Sequence, residues 1–102
     1  MANAANLSDL YVQELHARGL PWLEETCAWL AHAAKLCGGD LQLALLVLLL
    51  RRHAETGTPV TGVRLAHEAG LPRQTVRRKL ETLRAMRLVS KGPDGWRLLT
   101  TT

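Results

Sequence analysis

The side chains with the clearest chemistry lie between Arg73 and Arg87. On a helix at about 100° per residue, with Arg73 as zero, Arg84, Arg77, Glu81, Gln74 and Arg78 follow at about 20°, 40°, 80°, 100° and 140°. Val76, Leu80 and Leu83 fall at about 280° to 340°, on the opposite side. One face is thus apolar at i, i+4, i+7, and the other carries arginine and glutamine. Both side chains can make paired hydrogen bonds to a base edge in the major groove of a duplex. They also lie toward the helix N-terminus, the end that a recognition helix presents to bases. The bland alternative is a solvated helix face. Five arginines between Arg73 and Arg87 against Glu81 alone argue for contact with a polyanion instead. Glu81 is expected to pair with Arg77 at i−4 or Arg78 at i−3.

Other chemistries are poorly served. His16, His32, His53 and His67 contain no pair at i, i+4, and Cys27, His32 and Cys37 fan around a helix rather than sharing a face. No metal site and no cofactor are expected. There is no G-x-S-x-G, no glycine-rich phosphate loop and no paired-carboxylate constellation, so an enzyme is not expected. Cys27 and Cys37 are too few for a disulfide framework, and their apolar neighbours suggest buried, reduced thiols.

These residues need a scaffold, and composition says which kind. The chain has 102 residues, 47% of them apolar, which suits one domain with or without an extension. Leu occurs 21 times and Ala 13 times, Ile and Phe are absent, and Val occurs six times, so the fold should be mainly α. The longest strongly apolar stretch, Leu41 to Leu50, is half of what a membrane span needs, about 20 residues. The N-terminus has no basic residue ahead of an apolar run and does not read as a secretory signal. A cytoplasmic protein with no membrane partner is the expectation. The net charge of +4 is unevenly spread. Residues 1–50 hold two basic against five acidic residues, or −3, and residues 51–102 hold eleven against four, or +7. That asymmetry suggests two roles, one of them toward a polyanion.

Along the chain, residues 1–7 are expected to fray, with Asn6 or Ser8 capping a first helix that ends at Arg18. Its stripe is Leu7, Leu10, Tyr11 and Leu15, with Glu14 on the margin. Gly19 stops it, and a second helix follows from about Pro21 to Leu36. Trp22, Leu23, Thr26, Trp29, Leu30, Ala33 and Leu36 share one face of that helix, expected to pack in a core or a dimer interface. An aromatic wall for a small effector is the weaker reading of Trp22 and Trp29. Asp40 suits the N-cap of a third helix, Leu41 to about Glu55, apolar almost all round at its start and so buried on most sides. Thr58–Thr61 is extended. Two helices follow around Gly70, at about 62–69 and 72–86. Leu88–Ser90 and Trp96–Thr100 read as strands joined by the turn Gly92-Pro93-Asp94-Gly95.

From Asp40 onward the order is helix, short strand, helix, helix, strand, turn, strand. Ala66 supplies the small residue at a close helix crossing, Gly70 the turn, and Val76, Leu80 and Leu83 the inner face. In this the segment LAHEAGLPRQTVRRKLETLRAMRLVSKGPDGWRLL resembles the winged helix-turn-helix DNA-binding domains of bacterial regulators of the MarR, IclR and GntR kinds. The resemblance implies a winged helix-turn-helix over 40–102 behind a two-helix extension over 1–39. It implies base contacts from Arg73, Gln74 and Arg77, and backbone contacts from Thr75, Arg78, Lys91 and Arg97. The wing would be the turn at Gly92–Gly95. Pro72 stands where these families often have Ser or Thr, acceptable as a first helical residue. Arg87 stands where many have Gly, so the helix exit must be stabilised otherwise. The function implied is sequence-specific binding of double-stranded DNA in transcriptional regulation, on the nucleoid when bound. A homodimer through the N-terminal helices is expected. The competing reading is a winged-helix protein adaptor whose basic face meets an acidic partner.

Overall fold

The computed structural model describes residues 4–99, with side chains from residue 8 onward. It contains five helices, α1 (Ala4–Arg18), α2 (Leu20–Leu36), α3 (Leu41–Glu55), α4 (Gly62–Ala69) and α5 (Arg73–Ala85). Two strands follow, β1 (Val89–Gly92) and β2 (Gly95–Leu98), paired antiparallel with Val89 opposite Leu98 and Lys91 opposite Trp96. The architecture is mainly α with a small hairpin, as composition implies. Among the described residues no single helix is long and apolar enough to cross a membrane.

The core belongs to α3 and everything after it. Leu46, Leu50, Leu65, Val76, Leu80 and Leu83 are its most enclosed large side chains. Val60, Val89 and Trp96 complete it from the extended segment and the hairpin. Leu43 to Leu50 thus serves as the central helix expected of it, although Leu41 and Leu48 remain exposed. Asp40 caps α3, its Oδ1 accepting from Leu43 N–H at 3.0 Å. Thr61 caps α4 in the same way, accepting from Arg64 N–H at 3.1 Å.

Several local expectations need correction. Helix α1 begins at Ala4, so Asn6 and Ser8 lie inside it rather than capping it. Ala4 and Ala5 are the strongest helix formers and carry the helix past both residues. Residues 1–3, the side chain of Leu7 and the strand residue Thr100 lie outside the described residues. Pro72 is the N-cap of α5, at φ −60° and ψ 145°, and the helix starts one residue later. The strands are shifted by one residue at each start, because Gly92 and Gly95 pair and leave Pro93-Asp94 as the loop. Cys27 is exposed and Cys37 half-buried; both are free thiols, and neither is in the core interior. The expected apolar face of α2 is not intrachain core either. Ala33 is its buried residue, while Trp22, Trp29, Leu30 and Leu36 are exposed.

Candidate nucleic-acid interface

Helix α5 is the element that presents the basic face, and three features fix it. Its inner residues Val76, Leu80 and Leu83 are fully buried against α3 and α4. The turn before it runs through Gly70 at φ 67°, ψ 31°, a left-handed conformation in which glycine has no Cβ penalty. Lys79, half-buried on its flank, donates to Asp40 Oδ2. That hydrogen bond, with the Leu43 N–H next, holds the Asp40 carboxyl below its usual range. Asp40 therefore caps α3 and ties α5 to it, and Lys79 is engaged with protein rather than presented to a ligand.

The end of α5 is closed by an unexpected residue. Arg87 N–H donates to Arg84 O at 2.9 Å and Leu88 N–H to Leu83 O at 3.0 Å. This is the paired pattern of a helix stop that favours glycine. Here Arg87 takes the left-handed position at φ 63°, alone among the described non-glycine residues.

The hairpin is pinned to the helices through a two-bond bridge. Trp96 N–H donates to Val60 O at 2.7 Å and Val60 N–H to Trp96 O at 3.1 Å. Trp96 is buried, and a Cβ on Gly62 would meet its indole nitrogen at 3.8 Å and Leu80 at 3.9 Å. This anchors the hairpin beside the N-terminal half of α5.

Between them lies an open groove of about 440 Å³. It brings together Arg73, Gln74 and Arg77 from α5 with Lys91 from β1. The Lys91 ammonium sits 5.6 Å from the Trp96 ring centroid, a cation–π contact that orients it. Asp94, at the loop tip, is the acidic residue of the lining. Arg97 lies elsewhere. It is one residue beyond Trp96, so the strand period turns it away from Lys91, and it lines the rim of a separate cleft with Ala54, Thr58, Trp96 and Leu98. Thr75, half-buried, and Arg78, exposed, also lie outside the groove lining.

Charge pairing leaves the face open. Glu81 reaches neither Arg77 nor Arg78; its carboxylate is 3.7 Å from Arg84. Among the described residues Arg73, Arg77 and Arg78 make no ion pair. A second cluster went unseen in the sequence. Glu68 on α4 accepts from His53 Nε2 at 2.8 Å and Arg64 Nε at 3.1 Å, with Arg52 at 3.3 Å. The His53 hydrogen bond, foremost, lowers the Glu68 carboxyl to about 2, against the pull of partial burial. The cluster joins α3 to α4 and engages two of the exposed arginines. His53 and Arg52 lie 15 and 16 residues from Glu68, a separation no helical period reveals, whereas Arg64 stands at i−4 on the same helix.

Compared with protein-family models, with curated proteins and with solved structures, the chain matches none.

Proposed function

We propose that the protein is a winged helix-turn-helix factor that binds double-stranded DNA sequence-specifically, as a regulator of transcription in the cytoplasm. Helices α4 and α5 form the helix-turn-helix, α5 enters the major groove, and the hairpin is the wing. The observation that carries this reading is the groove holding Arg73, Gln74, Arg77 and Lys91 without basic side chains lost to intrachain pairing. In it Arg73, Gln74 and Arg77 read base edges, since each can form a bidentate contact. Lys91, Arg78 and Thr75 meet phosphate, with Arg97 reaching the backbone from the outer face of the wing. Phosphate neutralisation releases counterions and supplies the sequence-independent part of the affinity. The helix residues supply the choice of site. Occupancy of that site then blocks or recruits other proteins.

The test is selection of fragmented genomic DNA by the purified protein at about 0.15 M salt, where surface charge is realistically screened. Enrichment of one sequence motif is the expected result. Uniform recovery, or none above background, overturns sequence-specific binding. Capture of an acidic protein that survives excess duplex would instead support an adaptor role.

A further inference from the structure

The N-terminal helices present a physical problem that one copy of the chain does not solve. Among the described elements, α1 packs on α2. A helix of about 12–15 residues is marginal in water without tertiary packing. Yet Leu10 and Tyr11 on its apolar stripe are exposed, at 59% and 66%. Helix α2 is little better covered.

The whole chain exposes too much surface. A folded monomer of 11.3 kDa is expected to expose about 5,700 Å². This chain exposes 7744 Å², an excess of roughly 2,000 Å² over that scaling. Its radius of gyration is 15.6 Å, against about 13 Å for a globular chain of this length. A stable interface takes about 800 Å² from each partner, so the excess is more than enough for one.

Exposed apolar side chains cluster on one part of the fold. Among the described residues, every large exposed apolar side chain but Val63 and Leu99 belongs to α1, α2, α3 or the exit of α5. An apolar groove of about 440 Å³ runs between α2, α3 and that exit. Its walls include Trp29, Leu36, Leu48, Met86 and Leu88, with His32 and Arg51 among its few polar neighbours. One chain therefore carries both an unfilled apolar groove and a protruding apolar helix pair. Both halves of a self-complementary, two-fold interface are present on the same molecule.

We propose that this face seats a second copy of the chain, with α1 and α2 of each copy packed along α2, α3 and the α5 exit of the other. The interface stands apart from the α5–hairpin groove, so both basic faces stay open in the pair. It goes beyond the DNA-binding reading and does not depend on it.

The test reads mass rather than DNA binding. Sedimentation equilibrium of the full chain from 1 to 100 µM is expected to give about 23 kDa, twice the 11.3 kDa of one copy. Leu36→Glu and Leu48→Glu place a charge on side chains that are exposed in the single chain. Each is expected to shift the dissociation constant up at least a hundredfold and give a one-chain mass at 10 µM. Circular dichroism is expected to retain the cooperative unfolding of the α3–α5 core in both variants. Val63→Glu, outside the patch, is expected to keep the two-chain mass. A one-chain mass for the unaltered protein at 100 µM overturns the proposal. So does a two-chain mass for both patch variants, which would place any dimer elsewhere.

Discussion

Gly95→Ala is the substitution whose cost the structure sets most directly. Gly95 has φ +135°, a backbone region that side chains rarely adopt. A Cβ there would lie 2.5 Å from Val60 O and 2.7 Å from Val60 C. These are backbone atoms, fixed by the two hydrogen bonds between Val60 and Trp96. Relief requires the extended segment and β2 to separate, weakening both bonds at about 0.5–1.5 kcal/mol each. Holding alanine at that φ costs about 1–3 kcal/mol more. The expected destabilisation is about 2–6 kcal/mol, a large part of the roughly 5–15 kcal/mol available to a domain of this length. Urea unfolding followed by circular dichroism measures it as a drop in the midpoint at unchanged slope. Gly92→Ala is the matched control. It sits across the same loop with φ outside the positive range, and its Cβ would meet nothing closer than Gly95 O at 3.9 Å. It should shift stability by less than about 1 kcal/mol in either direction. If Gly95→Ala unfolds within about 0.5 kcal/mol of the parent, the hairpin is not pinned to Val60 as described.

Three further outcomes are expected. Arg87→Gly should stabilise the fold by about 0.5–1 kcal/mol, because glycine relieves the φ 63° position at the α5 exit; a lower urea midpoint would contradict this. Arg77→Ala should cost about 1–3 kcal/mol on the selected DNA site and relax choice at one base pair, while Arg78→Ala weakens all sequences alike and reduces the salt slope by about one; competition titrations at several salt concentrations separate the two. Folding lowers the Glu68 carboxyl from 4.5 to about 2, so its stabilisation is complete above pH 4.5 and is lost as pH falls toward 2. Glu68→Gln should therefore flatten the fall in urea midpoint across that window, and parallel profiles for the two proteins would remove Glu68 as the cause.

Much of this was legible in residue order, for reasons that differ by element. The burial of Val76, Leu80 and Leu83 follows from their period, and the stop at Gly70 from its freedom at positive φ. The Asp40 cap follows from a short acceptor ahead of an apolar run. Residue order failed where packing chooses between neighbours. Glu81 has arginines at i−4, i−3 and i+3, and nothing local selects Arg84. Asp40 and Lys79 are 39 residues apart. Period alone also cannot say what covers an apolar stripe, which is why the α2 face reads as core or interface until its exposure is seen. The orientation of Arg97 was within reach. With Trp96 inward, strand alternation already turns its neighbour away from Lys91.

The groove and its basic face are physically separable from the fold. Asp40 holds α5 through Lys79, Val60 holds the hairpin through Trp96, and the inner face of α5 is apolar. Arg73, Gln74 and Arg77 enter none of these contacts, and their side chains are exposed. The spacing between α5 and the hairpin is thus set by the core before any ligand arrives. A preorganised face loses little entropy on binding, because its backbone is already ordered. The same separation explains why the arginine face tolerates its charge. Its side chains project into solvent, where like charges are screened over about 8 Å at physiological salt. Placed on a duplex, those charges would meet phosphate within hydrogen-bond reach. Their repulsion in the free protein then becomes part of the driving force for binding.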